Sequence, residues 1–243
     1  MISFFKKNNP SSNYFPISTD MHSHILPGID DGSPNVETSI QLVKGLIELG
    51  LQRSIATPHV ISDVYRNTPE TILNALALLR AALQEQQINY RVDAAAEYMM
   101  DAAFFEKIER QEPLLCIKDK TILTEFSFGS IPENPKQMSF AILTSGYSPI
   151  LAHPERYTYF QGNHKYYHLL NDLGFQLQVN LLSFTGHYGA GAEKAAKYIV
   201  KNKLCRYLGT DLHHQRHLES LKNGRNVFEA LLAGEQWNNF LGE

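Results

Sequence analysis

Cysteine is scarce in this sequence, and the motifs of several common enzyme classes are missing. Its 243 residues include two cysteines, Cys116 and Cys205, which excludes a disulfide framework and a Cys-x-x-Cys metal site. Neither is followed six residues later by arginine, because Ile122 and Asp211 stand there, so a cysteine-based phosphatase loop is excluded. A Gly-x-Ser-x-Gly elbow, a Walker-type loop and a His-Glu-x-x-His motif are also missing.

Long apolar runs and an excess of one charge are absent as well. No stretch approaches the roughly 18 apolar residues of a transmembrane helix, and the apolar run at residues 2–5 is too short for a secretory signal. Lys and Arg total 22 and Asp and Glu total 25, which gives a net charge of −3. This balance favours neither nucleic acid nor an anionic membrane as a partner. We therefore expect a cytoplasmic globular protein with no nucleic-acid partner and no transmembrane segment.

Short apolar runs alternate with helical patterns from residue 18 onwards, and no break in composition marks a second domain. The predicted strands span 18–24, 53–58, 90–97, 121–126, 148–153, 175–182 and 206–211, and the predicted helices span 36–49, 69–86, 102–110, 134–145, 164–173, 191–202 and 217–232. Gly50, Gly146 and Gly174 stand where a glycine commonly ends a helix. Strands that are each followed by such a connection predict one parallel α/β barrel over 18–243. Residues 1–17 lack a period and are expected to form an N-terminal arm.

Histidine and acidic residues stand at six of the seven predicted strand ends. In a closed parallel barrel the carboxyl ends of the strands meet, and functional side chains gather there. His22 and His24 lie two residues apart on the first strand, so they share a face and can bind the same metal ion. The other candidates are His59, Glu97, Glu125, His153, Asp211 and His213, together with Asp31 or its neighbour Asp30 in the loop after the first strand.

The convergence of these groups favours a metal centre over a set of unrelated polar residues. A single histidine or glutamate at a strand end is usually structural or solvated, but converging carboxylates without cations would repel one another at a large cost. The set contains no thiolate, and histidine with carboxylate suits Zn, Mn or Fe. Nine ligands exceed the needs of one or two tetrahedral ions and match three ions that share a bridging carboxylate. Such a centre would attract a phosphate dianion and let a bridging water supply hydroxide near neutral pH.

Polar residues near these positions are candidates for supporting roles. Arg156 lies three residues beyond the histidine that ends the fifth strand, and its planar fork matches phosphate oxygens. The alternative is a surface arginine paired with Glu155. Asn180 and Ser183 either line the pocket or cap a turn, and Asp20 is expected to orient an imidazole. The remaining histidines are expected at the surface; they are His164, His168, His187, His214 and His217.

Seven segments of the chain carry recognisable motifs, which read TDMHSHILPGIDDG, ATPH, AAAEYMMD, LTEFS, LAHPERY, QVNLLSFTGHYG and LGTDLHH. In this order, from about residue 20 to about residue 225, they resemble the bacterial PHP-domain protein-tyrosine phosphatases. That group is manganese-dependent and associated with capsular and extracellular polysaccharide synthesis. The resemblance implies a distorted seven-stranded (βα)7 barrel of the metallo-dependent hydrolase type with a trinuclear metal centre.

The resemblance also assigns site residues. Its metal ligands fall on His22, His24, Asp31, His59, Glu97, Glu125, His153, Asp211 and His213, which are the positions that the strand ends select. Its phosphate-binding arginine falls on Arg156. A second arginine past the last ligand is common in the family, and here Arg216 follows His213 by three residues, closer than usual.

The function implied by the resemblance is hydrolysis of phosphotyrosine, with a bacterial tyrosine kinase of a polysaccharide-export system as the substrate protein. A metal-bridging hydroxide would attack phosphorus in line, while Arg156 and the ions (Mn2+, or alternatively Fe or Zn) stabilise the equatorial oxygens. The leaving phenol has a pKa of about 10, so acid catalysis by His213 or a metal-bound water need contribute little. The residues expected to act in catalysis are Arg156, His213 and the ligand Asp31.

Other activities stay open on the sequence alone. A small-molecule phosphatase acting on a sugar or histidinol phosphate would use the same ligands with a different pocket depth and rim. Amidohydrolases and TatD-like nucleases also begin with His-x-His and end with Asp, but two-metal amidohydrolases often carry a carboxylated lysine where this chain has Glu125. The net charge of −3 disfavours a nuclease. A non-catalytic scaffold that binds a phosphorylated partner is a further alternative, and neither the metal nor the oligomeric state follows from the sequence.

Overall fold

Parallel strands surrounded by helices make up the computed structural model, which describes residues 13–238. The strands are β1 (Thr19–Asp20), β2 (Arg53–Ala56), β3 (His59–Val60), β4 (Arg91–Ala94), β5 (Glu97–Met99), β6 (Thr121–Glu125), β7 (Ser148–Ala152), β8 (Gln176–Asn180) and β9 (Cys205–Gly209). The helices are α1 (Val36–Leu49), α2 (Pro69–Glu85), α3 (Ala102–Glu109), α4 (Pro135–Thr144), α5 (Lys165–Asp172), α6 (Gly189–Lys201), α7 (Gln215–Asn223) and α8 (Arg225–Leu232). The predicted α/β class is confirmed.

The strands form two sheets that together close a barrel. One sheet has the order β1-β2-β4 and the other has the order β3-β5-β6-β7-β8-β9, with every pairing parallel. The chain beyond β9 meets the chain beyond β1, because Ser23 pairs with Leu212 in parallel and Asp211 N donates a hydrogen bond of 2.8 Å to His22 O. The first and last strand ends therefore lie side by side, as a parallel barrel requires.

Two predicted strands are interrupted, so the described chain has nine short strands where seven longer ones were predicted. Of the predicted strand 53–58 only 53–56 form β2, and β3 begins just beyond it at His59, whereas the predicted strand 90–97 divides into β4 (91–94) and the start of β5 at Glu97. Pro58 separates β2 from β3 because it has no N–H to donate to a sheet. Hydrogen bonds from Ala95 N to Ala56 O (2.8 Å) and from Glu97 N to Pro58 O (3.1 Å) keep the interrupted strands in register. The prediction of continuous strands at these two places was wrong.

The last predicted helix, 217–232, is also divided, because α7 and α8 meet at Gly224. Glycine is a weak helix former, and here it allows close packing. A Cβ atom at this position would lie 2.6 Å from the Phe228 ring and 2.8 Å from the Thr185 side chain. The other predicted helices are confirmed to within about two residues at each end. The three predicted helix-ending glycines have positive φ, namely 98° at Gly50, 81° at Gly146 and 95° at Gly174.

Successive side chains along the strands point alternately into the barrel interior and towards the surrounding helices. Leu123 and Ile150 belong to a small buried cluster that also contains Met21, Ile55, Ala95, Ile117, Ala152 and Tyr207. Their neighbours Ile122 and Leu151 belong to the larger core that packs against the helices. Glu125 follows Leu123 by two residues, so it lies on the interior face at the carboxyl end of β6. The interior therefore leads to a polar rim.

Residues near both ends of the described chain pack on the barrel. The Phe15 ring meets the Phe228 ring edge-on, with 5.8 Å between centroids, and Asn238 forms hydrogen bonds with both N and O of Leu208. Residues 1–12 of the predicted arm lie outside the described residues, and the division into an arm over 1–17 and one domain over 18–243 stays a prediction. Within the described range, no helix combines the length and the apolar character that crossing a membrane needs.

Candidate metal centre

The nine predicted metal ligands converge at the carboxyl-end rim of the barrel. They form four overlapping groups, and within each group one ligand atom per residue lies within 4.8 Å of the others. The groups are His24, Asp31, His59 and His213; His22, His24 and Asp211; His22, Glu97 and His153; and His59, Glu97 and Glu125. Strand ends and loops far apart in the sequence therefore place all nine side chains in one continuous cluster.

Two buried carboxylates lie at the centre of the cluster. Glu97 Oε2 is 3.3 Å from His22 Nε2, 3.4 Å from His24 Nε2 and 3.1 Å from His59 Nδ1. Asp211 Oδ1 is 3.4 Å from His22 Nε2 and 3.3 Å from His24 Nε2. A carboxylate surrounded by several imidazole nitrogens is suited to bridging neighbouring cations.

Asp31 marks the open side of the cluster. Its Oδ1 lies 3.5 Å from Nε2 of His59 and 3.5 Å from Nε2 of His213. The Asp31 side chain is 51% exposed, whereas that of Glu125 on the inner side is buried. The cluster therefore extends from a buried inner side to an edge that is open to solvent.

Two residues outside the nine hold imidazole rings in place. Asp30 Oδ2 accepts a hydrogen bond of 2.8 Å from His24 Nδ1, and Gln178 Oε1 accepts one of 2.9 Å from His22 Nδ1. With each Nδ1 occupied in this way, Nε2 faces the cluster, a common arrangement for histidines that bind metal. The sequence leaves Asp31 and Asp30 as alternatives, and the structure places Asp31 within the cluster and Asp30 behind His24.

Gln178 was not among the predicted site residues, although the sequence of β8 carries a signal for it. Gln176, Gln178 and Asn180 alternate along this strand, so they share the face that points into the barrel. Gln178 is fully buried and also accepts a hydrogen bond of 3.3 Å from His153 N. A fully buried amide is unusual unless it supports a site, and the alternation is the pattern that could have found it.

Asp20 does not orient an imidazole, so that prediction was wrong. Its buried carboxylate accepts hydrogen bonds from the backbone N and the hydroxyl of Thr210 and from His22 N at 3.3 Å. Burial raises the pKa of Asp20 to about 6, against the effect of these hydrogen bonds. Asp20 therefore joins the backbone of β1 to the chain beyond β9 and keeps the first and last strand ends together.

Several buried polar atoms of the cluster have no hydrogen-bond partner within residues 13–238. Among them are His59 Nδ1, Glu97 Oε2 and Glu125 Oε1, although His59 Nδ1 lies 3.1 Å and 3.0 Å from the two carboxylate oxygens. Burial and the adjacent Glu97 carboxylate raise the pKa of Glu125. Divalent cations bound among these nitrogen and oxygen atoms would give them partners and would also balance the negative charge of the carboxylates. The donor set therefore fits a divalent metal.

Arg156 lies beside the cluster in a single 3-10 turn, Pro154–Arg156, which follows β7. Its Nη1 donates a hydrogen bond to Asp211 Oδ2. Two aromatic rings pack on the guanidinium, with its central carbon 5.0 Å from the Phe128 centroid and 4.2 Å from the Tyr188 centroid. The structure therefore places the predicted phosphate-binding arginine next to the predicted metal ligands, in a fixed orientation.

The alternative pairing of Arg156 with Glu155 at the surface was wrong. Glu155 is buried, and its Oε1 accepts hydrogen bonds from Asn180 N (2.9 Å) and the Ser183 hydroxyl (2.6 Å). Asn180 fills both roles proposed for it, since Oδ1 caps the following turn and Nδ2 donates to Asp211 Oδ2 at 2.9 Å. Ser183 supports the site through Glu155. These contacts attach the Arg156 turn to the end of β8.

Four of the five other histidines are exposed or half-buried, namely His164, His168, His187 and His214. His217 is the exception to the predicted surface location. It is buried on α7 with Nδ1 3.2 Å from Asp211 O, because this side of α7 packs against the chain that follows β9. Arg216, on the same helix, is exposed.

Fold and rim together define a class of protein, a parallel α/β barrel with a candidate divalent-metal centre at the carboxyl ends of its strands. Residues 18–235 match the model of the family "Capsular polysaccharide synthesis, CpsB/CapC". This chain belongs to that family. The resemblance that the sequence motifs indicate is confirmed.

Individual relatives agree with this assignment. The tyrosine-protein phosphatase YwqE of Bacillus subtilis (strain 168) is 28% identical over 195 residues, which cover 80% of this chain and 77% of that protein. A chain from the crystal structures of YwqE from Bacillus subtilis and CpsB from Streptococcus pneumoniae, unique metal-dependent tyrosine phosphatases, gives a TM-score of 0.76 at 26% identity, covering 90% of this chain and 96% of that chain. Histidinol phosphate phosphatase from Lactococcus lactis gives a TM-score of 0.55 at 14% identity, covering 88% of this chain and 93% of that chain, a likeness of fold alone.

Proposed function

We propose that this chain is a metal-dependent protein-tyrosine phosphatase, a phosphoric monoester hydrolase that removes phosphate from tyrosine. The observation that carries the proposal is the position of Arg156, hydrogen-bonded to Asp211 within a convergent set of nine imidazole and carboxylate side chains. The nine side chains can bind cations, and the planar guanidinium of Arg156 can donate two hydrogen bonds to phosphate oxygens. Membership of a capsular polysaccharide synthesis family and similarity to the tyrosine phosphatases YwqE and CpsB support it.

The proposed cofactor is a set of three divalent ions, with Mn2+ as the native metal and Fe or Zn as possible substitutes. The nine side chains that form the four overlapping groups are assigned as its ligands, and three is proposed because nine ligands exceed the needs of one or two tetrahedral ions. Ions held by such ligands polarise phosphoryl oxygens and lower the pKa of coordinated water. Elemental analysis of the purified protein should find about three metal equivalents per chain, the number proposed for nine ligands.

Arg156 binds the phosphoryl group in this proposal. A guanidinium carries five N–H donors, so donors remain for two phosphate oxygens beside the hydrogen bond to Asp211. The rings of Phe128 and Tyr188 hold the plane of the fork. A planar donor fixed before the substrate arrives stabilises the charge on the equatorial oxygens without reorganising.

His213 is assigned to the ligand set rather than to proton transfer. Its Nδ1 donates a hydrogen bond of 2.9 Å to Asp211 O, which leaves Nε2, 3.5 Å from Asp31 Oδ1, as its one remaining nitrogen. A nitrogen that binds a metal ion cannot hold a proton at the same time. The leaving phenol, with a pKa of about 10, needs little acid assistance. Asp31 and His213 then form the outer edge of the site, where the substrate enters.

The proposed substrate is phosphotyrosine on a bacterial tyrosine kinase of a polysaccharide-export system. The link of the family to capsular polysaccharide synthesis supports this choice of partner. The 51% exposure of Asp31 supports a site that receives a side chain presented by a protein surface. A small sugar phosphate or histidinol phosphate would be expected to require a more enclosed pocket.

The test is hydrolysis by the manganese-loaded protein of a phosphotyrosine peptide, compared with histidinol phosphate and a sugar phosphate. We expect the peptide to be the best substrate, and we expect His22→Ala and Asp211→Ala to abolish turnover because each removes a ligand from the centre. His168→Ala, an exposed histidine on α5, is the matched control and should keep full activity. Faster hydrolysis of the small substrates, or activity that survives the ligand substitutions, would reject the proposal.

A further inference from the structure

Phe128 is an exposed aromatic side chain at the mouth of the candidate centre. It lies in the loop between β6 and α4, and 45% of it is exposed. Its ring stacks on the His153 imidazole, with 5.5 Å between centroids and 26° between planes, and lies 5.0 Å from the guanidinium carbon of Arg156. An apolar ring is therefore held beside the phosphate-binding fork with part of its surface open.

The loop that carries Phe128 is attached to the segment just beyond Arg156. Tyr157 OH accepts a hydrogen bond of 2.9 Å from Phe126 N, and Tyr159 OH donates one of 2.8 Å to Ser127 O. The Phe128 ring also packs against the Tyr157 ring at 5.1 Å. Because one segment carries both the arginine and these anchors, the ring has a defined position relative to the fork before any ligand binds.

We propose that Phe128 contacts the aromatic ring of the substrate and gives the site its preference for aryl over alkyl phosphate esters. This inference rests on the proposed function. In an aryl phosphate the ring is attached to phosphorus through a single oxygen, so phosphate bound at Arg156 places the ring within reach of Phe128. Aromatic pairs prefer offset or edge-to-face contact, and an alkyl ester has no such ring to offer.

Within residues 13–238, Tyr65 is the other aromatic side chain that stacks on a rim histidine, and it fits this role less well. Its ring packs on His59 with 5.7 Å between centroids. Arg156 has its aromatic contacts with Phe128 and Tyr188, and of these two Phe128 is the exposed one.

The experiment measures kcat/KM of the manganese-loaded protein for phenyl phosphate and for an alkyl phosphate of similar size. Phe128→Ala and Phe128→Leu should lower the aryl-to-alkyl ratio about tenfold, as expected for the loss of one aromatic pair. Tyr188→Leu removes the other ring from Arg156 and should lower both rates by the same factor. Phe140→Ala, an exposed phenylalanine on α4, should change neither rate.

A parallel fall of both rates in the Phe128 variants would overturn the inference, because Phe128 would then act only by positioning Arg156. Phe128 variants in which neither rate changes would overturn the inference as well. Binding gives a readout that does not need turnover. Calorimetry with phenylphosphonate and methylphosphonate, which are not hydrolysed, should show a loss of affinity in Phe128→Ala that is about tenfold larger for the phenyl ligand than for the methyl ligand.

The two proposals fail in different ways. If the unsubstituted protein hydrolyses neither ester, the proposed function is wrong, and the phosphonate titrations still decide whether Phe128 recognises an aryl group. If the protein hydrolyses both esters and Phe128→Ala leaves the phosphonate affinities in their original ratio, the phosphatase assignment stands and the role of Phe128 is wrong.

Discussion

Gln178 accepts a hydrogen bond of 2.9 Å from Nδ1 of His22, although 156 positions separate the two residues in the chain. Both side chains are fully buried. The bond fixes the tautomer and the orientation of the imidazole, so that Nε2 faces Glu97 and Asp211. The neutral amide of Gln178 in β8 therefore sets the direction in which Nε2 of His22, a proposed metal ligand, points.

Replacing Gln178 should weaken metal binding without removing a ligand. Gln178→Leu leaves the His22 ring without its acceptor, and the loss of such a partner typically costs 10- to 100-fold in metal affinity. The measurement is competition for Mn2+ with a chelator, together with the metal content after gel filtration. Gln176→Leu is the matched control, because this residue of the same strand accepts from Tyr207 OH instead. Equal losses of affinity in the two variants would show that β8 packing, and not the imidazole contact, is responsible.

Asp30 and Asp31 are adjacent but should differ in what their loss does. Asp31→Ala removes a proposed ligand from the outer group and is expected to reduce the bound metal by about one equivalent. Asp30→Ala removes the acceptor of His24 Nδ1 and is expected to lower affinity by about 10- to 100-fold while the stoichiometry at saturating metal is kept. Elemental analysis and chelator titration of both variants separate these outcomes. A reduced metal count in Asp30→Ala with a full count in Asp31→Ala would reverse the two assignments.

The candidate ligands could be predicted because each is an imidazole or a carboxylate at or just beyond a strand end or in the loop after the first strand. The choice between Asp30 and Asp31 could not, since it depends on how one short loop folds back over His24. Gly32 makes this possible: a Cβ atom there would lie 2.0 Å from His24 O. This close approach is a feature of the tertiary structure, and two consecutive aspartates in a sequence do not reveal it.

Neutral residues and local breaks were the harder part of the prediction. Phe128 looks like any aromatic residue in a loop until its contacts with His153 and Arg156 are known. The interruption at Pro58 and the division of the last helix at Gly224 arise from residues whose effects depend on context. Each of them can end an element or be accommodated within a longer one, and the surrounding packing decides which.

Glu155 should make the stability of the protein depend on pH. Burial raises its pKa to about 7 from a reference value of 4.5. Because the folded-state pKa is the higher one, its contribution to stability is complete below about pH 4.5 and is lost as the pH rises through about 7. Glu155→Gln keeps an acceptor oxygen for Asn180 N and the Ser183 hydroxyl. The free energy of unfolding of the variant relative to the parent should therefore rise by roughly 2–3 kcal/mol between about pH 5 and about pH 8.

Urea unfolding of the metal-loaded protein at the two pH values measures this difference. Glu219→Gln, an exposed glutamate on α7, is the control and should show no such change. If the Glu155→Gln difference were the same at both pH values, the carboxyl group would have to be ionised throughout, and the burial argument would be wrong.

Arg156→Lys should show whether catalysis needs only a positive charge at this position or also the planar guanidinium group. A lysine keeps the charge near Asp211 but presents a single ammonium group, so it cannot offer the planar fork, and it stacks less well between Phe128 and Tyr188. Loss of one fixed donor to a developing oxyanion costs about 100- to 1,000-fold in kcat, and we expect a fall of that size with unchanged metal content. Arg206→Lys, an exposed arginine beside Tyr207, should have no effect on kcat. A near-normal kcat in Arg156→Lys would mean that charge alone suffices, and the phosphate would then have to be oriented by the metal ions rather than by the guanidinium.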